Sequence, residues 1–76
     1  SAEQRIATVL LRLTGEMNGN ETKKITHRRQ DIAEMAGLSL ETTIRTIRKL
    51  ADKGSLKIIG GRIFVETTEH LRTLIR

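Results

Sequence analysis

The stretch RQDIAEMAGLSLETTIRTIRKL, Arg29 to Leu50, decides the fold. It reads as two short helices joined by a tight turn. The first spans about Arg29 to Ala36, with Asp31 in its first turn, where a carboxylate suits the positive end of the helix dipole. Gly37 follows, the residue type that most readily takes the left-handed conformation ending a helix. Ser39 stands where an N-cap is needed, its hydroxyl free to accept an amide from the next turn. A second helix is predicted over about Leu40 to Lys53, with Gly54 as its stop. Helix, glycine-containing turn, helix is the helix-turn-helix pattern, whose second helix lies in the DNA major groove. On its outer side this helix offers Glu41, Arg45, Arg48 and Lys49, residue types that read base edges or hold phosphates. Ile32, Ala33, Met35, Leu38, Ile47 and Leu50 are the expected core of the unit.

On the N-terminal side, Ile6, Val9, Leu10 and Leu13 recur at the spacing of a helix with one buried face, predicted over Ala2 to Leu13. Gly15 and the run Asn18-Gly19-Asn20 break that pattern and read as a loop. Lys24 to Thr26 is either a short strand or an extended approach to the next helix.

On the C-terminal side, Leu56–Ile59 and Arg62–Val65 flank Gly60-Gly61, a hairpin signal because both turn residues accept positive φ. A two-residue turn pairs Ile59 with Arg62, Ile58 with Ile63, Lys57 with Phe64 and Leu56 with Val65. Alternation then puts Leu56, Ile58, Ile63 and Val65 on the face that covers the helices, with Lys57, Ile59, Arg62 and Phe64 on the other. A basic hairpin after a recognition helix is a wing. Thr67 or Thr68 caps a last helix that buries Leu71, Leu74 and Ile75. The fold class is therefore mainly α with a small β-hairpin, a winged helix-turn-helix, in one domain over residues 1–76: helix-turn-helix at about 29–53, wing at about 56–65.

Composition narrows the function. Lys plus Arg number 14 against 9 acidic residues, a net charge of +5 that favours a polyanionic partner. There is no cysteine, which removes disulfides, thiolate metal sites and thiol catalysis. No apolar run approaches the roughly 18 residues of a membrane span, so no membrane partner is expected and a cytoplasmic location fits. His27 and His70 stand apart, without clustered carboxylates, and no metal site is expected. Phe64, the sole aromatic, gives poor support for single-stranded nucleic acid, which calls for several stacking rings. No glycine-rich phosphate loop and no nucleophile with a base is visible, so no enzyme is expected. The chain opens at Ser1 without Met and is expected to be a fragment of a longer protein.

With these motifs in place, the chain resembles the C-terminal DNA-binding domain of the cyclic-AMP receptor protein and fumarate–nitrate regulator (Crp/Fnr) family of bacterial transcription factors. RIATVLLRL at Arg5–Leu13 is similar to the family's opening helix, RQDIAEMAGLSLETTIRTIRKL to its helix-turn-helix, and GSLKIIGGRIFV to its wing. The resemblance implies that Glu41 and Arg45 read G·C pairs of a half-site, a role that suits Arg on guanine O6 and N7 and Glu on cytosine N4. Leu40 stands where the best-known member has a base-reading Arg, and Ile44 where it has Gly and the oxygen-sensing branch has Ser. Both are expected on the groove-facing side with Glu41, Arg45 and Arg48, although helical spacing alone would bury them with Ile47 and Ala51. Thr43 takes a usually buried aliphatic position, its hydroxyl expected to bond back one turn.

Phosphate contacts are expected from Arg28, Arg29, Thr42, Arg48, Lys49, Lys57 and Arg62. The resemblance further implies an effector bound in a separate N-terminal barrel, no cofactor in this domain, a homodimeric parent, a monomeric fragment and RNA polymerase as a further partner. Other readings compete. Glu41 and Arg45 form an ordinary i, i+4 surface pair. Arg28, Arg29, Lys57 and Arg62 serve equally as solvated charges. Winged helices also act as protein-interaction or assembly modules, or in regulators of other families. Arg45, Arg48 and Lys49 together speak against the interaction module, and the Glu41/Arg45 pair against another family.

Overall fold

A computed structural model describes residues 1–15 and 21–75; the Asn18-Gly19-Asn20 break lies outside them. The order is α1 (Ala2–Thr14), β1 (Lys23–Ile25), α2 (Arg29–Ala36), α3 (Leu40–Asp52), β2 (Lys57–Ile59), β3 (Arg62–Val65) and α4 (Glu69–Leu74). This is the expected winged helix-turn-helix with one addition. Lys23–Ile25 is a true strand, which makes the wing a three-stranded antiparallel sheet in the order β1-β3-β2.

The apolar stripe of α1 organises the molecule. Ser1 caps this helix by accepting the Gln4 amide on its hydroxyl at 3.3 Å. Ile6, Ala7, Val9 and Leu10 are buried, and α1 packs against α2, α3 and α4. Ile32 of α2, Ile47 and Leu50 of α3, Ile25, Leu56, Ile63 and Val65 of the wing, and Leu71 of α4 complete a single core cluster. Lys53 donates to the Glu3 carboxylate at 2.7 Å, tying the end of α3 to the start of α1, and this bond holds Glu3 below its ordinary pKa.

The hairpin has the register its turn dictates, with Lys57↔Phe64, Ile58↔Ile63 and Ile59↔Arg62, and Gly60 and Gly61 at φ 55° and 78°. The expected fourth pair does not form. Val65 pairs with Lys23 on β1, and β2 begins at Lys57, leaving Leu56 to enter the core before the ladder starts.

Four expectations about side chains fail. Ile58 is 37% exposed because β2 is an edge strand with a neighbour on one side only. Met35 is exposed: α2 is short, Ile32 and Ala33 fill its contact with the core, and Met35 lies in a shallow groove with Arg5, Thr8 and Arg12. Ile75 is exposed: it lies past the end of α4 at Leu74, in an open groove with Ser1, Gln4, Arg5 and Thr8. Thr43 is fully buried as placed, but its hydroxyl has no hydrogen-bond partner; the Ser39 carbonyl one turn earlier takes only the Thr43 amide, at 3.0 Å.

An unpartnered buried hydroxyl costs about 1–3 kcal/mol of desolvation. Thr43→Val, which keeps the shape and removes that group, should therefore raise stability by about 1 kcal/mol in urea unfolding. A loss of stability would show that the hydroxyl is satisfied in solution.

Candidate nucleic-acid interface

The turn between α2 and α3 sets which face of α3 is presented. Gly37 takes φ 68°, ψ 36°, the left-handed region. Its amide donates to Glu34 O at 3.3 Å and the Leu38 amide to Ala33 O at 3.0 Å, the paired bonds of a Schellman ending. The chain then enters α3 through Ser39, whose hydroxyl accepts the Thr42 amide at 3.1 Å and donates to Thr42 Oγ1 at 3.0 Å.

From this start α3 divides cleanly. Thr43, Thr46, Ile47 and Leu50 are buried. Leu40, Glu41, Ile44, Arg45, Arg48 and Lys49 are exposed, with Leu40 at 40% and Ile44 at 42%. Spacing alone would have buried Leu40 and Ile44, and the structure sides with the alternative face. Glu41 and Arg45 do pair, at 3.8 Å, but both side chains stand mostly in water. An exposed i, i+4 pair is worth only a few tenths of a kcal/mol, so it holds neither side chain firmly.

The remaining cations surround this face unevenly. Arg28 is exposed beside Asp31, whose carboxylate accepts the Arg28 amide at 3.1 Å and caps α2. Arg29, half-buried, points elsewhere: its Nη1 donates to the Gly61 carbonyl at the wing turn, at 2.9 Å. Burial first, and the nearby Arg62 second, lower its pKa. Lys57 pairs with Glu66 at 3.2 Å in an exposed position. Arg62 is exposed opposite Ile59, itself 58% exposed at the wing tip.

Two features escaped the sequence reading. The Arg29–Gly61 bond joins residues 32 apart and leaves no local trace. The β1 lysines were visible, but not their placement: Lys24 lies opposite Phe64, which puts it on the outer sheet face with Lys57 and Arg62. Among the described residues no group of acidic, His or Cys side chains could hold a metal ion, and no helix is long and apolar enough to cross a membrane.

The Crp-like helix-turn-helix domain family matches residues 4–74. The chain belongs to the Crp/Fnr family. As a Crp-like domain it is a DNA-binding unit of the kind found in bacterial transcription regulators. Its relatives include the nitrogen fixation regulation protein FixK of Bradyrhizobium diazoefficiens, 39% identical over 67 residues, 83% of this chain and 28% of that protein. The protein of the same name from Rhizobium meliloti is 34% identical over 74 residues, 96% of this chain and 35% of its own length. Among solved structures, the catabolite activator protein of Thermus thermophilus superposes with a TM-score of 0.78 at 28% identity, covering 97% of this chain and 33% of that one. The Crp-like domain thus spans about a third of the length of the curated relatives it matches.

The exposure of Ile44 has a direct consequence. Ile44→Ala in the Crp-like domain should change stability by less than about 1 kcal/mol, as surface substitutions do. Denaturant unfolding that instead showed the roughly 2–5 kcal/mol loss of a core cavity would put Ile44 inside.

Proposed function

We propose that this domain binds double-stranded DNA sequence-specifically, with α3 in the major groove, as the output half of a ligand-controlled, dimeric transcription regulator. The observation that supports this most is the two-sidedness of α3: Ile47 and Leu50 are buried, while Leu40, Glu41, Ile44 and Arg45 share the exposed side. Arg45 grips guanine O6 and N7, and Glu41 accepts from cytosine N4. Leu40 and Ile44 pack on thymine methyls, the apolar partner that the major groove offers. Arg28, Thr42, Arg48, Lys49, Lys57 and Arg62 take phosphates and fix the register without reading sequence. Arg29 takes phosphate with the guanidinium donors that Gly61 leaves free. The domain carries no cofactor and no catalytic chemistry in this reading. The effector binds elsewhere in the parent, which works in the cytoplasm and is the part that meets RNA polymerase.

A single domain of this kind engages one half-site, so the isolated chain should be monomeric. It should bind duplex in the weak range of roughly 10⁻⁴ to 10⁻⁶ M at physiological salt. Sedimentation as a stable dimer at micromolar concentration, or nanomolar affinity for one half-site, would contradict this.

The base-reading roles are tested after selecting the preferred site from random duplexes. Arg45→Ala should cost about 1–3 kcal/mol on that site and relax preference at one G·C pair. Equal losses on selected and random DNA would reduce Arg45 to a phosphate contact. Replacing the flanking thymine by uracil should weaken the wild type about as much as Leu40→Ala or Ile44→Ala does. If uracil leaves binding unchanged, the methyl contact is wrong.

A further inference from the structure

The wing turn is built from two glycines, both at positive φ, and neither has a side chain with which to anchor itself. A Cβ built on either would meet nothing within 4 Å, so no side chain crowds the turn on those sides. Among the described residues, one hydrogen bond reaches it from outside the hairpin: Arg29 Nη1 to Gly61 O, 2.9 Å, from the first residue of α2 across 32 positions. The next residue after Gly61 is Arg62, an exposed cation on the outer face of the central strand. Arg29 is therefore a physical link between the helix-turn-helix and the wing turn beside Arg62.

We infer that Arg29 is a positioning residue for the wing, holding the Gly60–Gly61 turn against α2 so that Arg62 reaches phosphate in register with α3. This rests on the DNA reading given above and assigns Arg29 a contribution different from that of a plain phosphate ligand. The geometry suits the task. A guanidinium is planar and rigid, and donates along several directions at once. One N–H is committed to the carbonyl, and the side chain is half-buried, which restricts its freedom to swing outward. Arg62 lies close enough to weigh on the Arg29 charge, so the clip holds two cations together at the base of the turn. An anion bound beside them relieves that repulsion. On the β2 side the hairpin adds a short support, since β2 is three residues long and lies at the sheet edge.

The test is a cycle of Arg29→Met and Arg62→Met, singly and together, in this 76-residue chain. Met keeps much of the stem and removes every donor. Thermal unfolding first establishes that each variant is folded. Duplex binding is then measured across a salt series, where each lost phosphate contact lowers the log–log slope by about 0.9. Because Arg29 also holds a phosphate of its own, the clip predicts that Arg29→Met already loses both contacts, about 1.8 of slope, and that the double variant binds no worse and loses no more. Independent phosphate ligands would instead lose about 0.9 of slope in each single variant and multiply their fold-losses in the double; that result overturns the proposal, as does an Arg62→Met variant that binds like wild type. Hydrogen exchange in the absence of DNA gives a readout that owes nothing to binding. Arg29→Met should speed exchange of the hairpin amides and leave α1 and α3 unchanged. Unchanged hairpin exchange overturns the clip even where duplex binding is salt-dependent. A wild type without salt-dependent duplex binding sinks the DNA reading itself, and the hairpin amides then decide the clip alone.

Discussion

Keeping Ile47 and Leu50 dry fixes the rotation of α3 about its axis, and that rotation fixes everything else about the surface. Both side chains are essentially fully buried, against a core to which α1 contributes Ile6 and Leu10 and α2 contributes Ile32. Successive helical residues are about 100° apart, so burying these two positions leaves no choice over where Glu41 and Arg45 point. The left-handed turn at Gly37 and the Ser39 cap serve the same constraint from the other side. They start α3 at the residue from which its apolar side meets the core. The polar face is thus a by-product of a packing requirement, its direction set by the core.

The parts of the fold legible in the sequence are those with a local chemical cause. Gly37, Ser39 and Gly54 punctuate helices through backbone conformation and short-range hydrogen bonds, and the structure begins α2 and α3 at the expected residues and ends each within a residue of the expected position. Gly60-Gly61 sets the hairpin register by itself. What sequence left open was decided by long-range partners. Whether Lys23–Ile25 is a strand depends on β3, some forty residues on, offering its second edge. Met35, Ile58 and Ile75 are apolar in pattern but stand at the ends or edges of their elements, where the core runs out of surface to cover them.

The face of α3 is a different case. Periodicity favoured one stripe through Leu40, Ile44, Ile47 and Ala51, and the resemblance to Crp/Fnr proteins favoured another. The structure buries Thr43 and exposes Ile44. A stripe count treats every aliphatic residue as equally eager to leave water. It misses that a buried Thr can be held in place by its neighbours, even with its hydroxyl unpaired. The roles proposed for the exposed residues toward DNA rest on chemistry and kinship and have no counterpart in the hydrophobic pattern.

Among the described residues the sheet has two margins, β1 and β2, each a row of backbone groups open to pairing with another chain. Both margins are only three residues long and both carry lysine, Lys23 and Lys24 on one and Lys57 on the other. Two such edges brought together would set like charges side by side before many hydrogen bonds could form. The lysines that favour an anionic partner therefore also deter these chains from polymerising edge to edge.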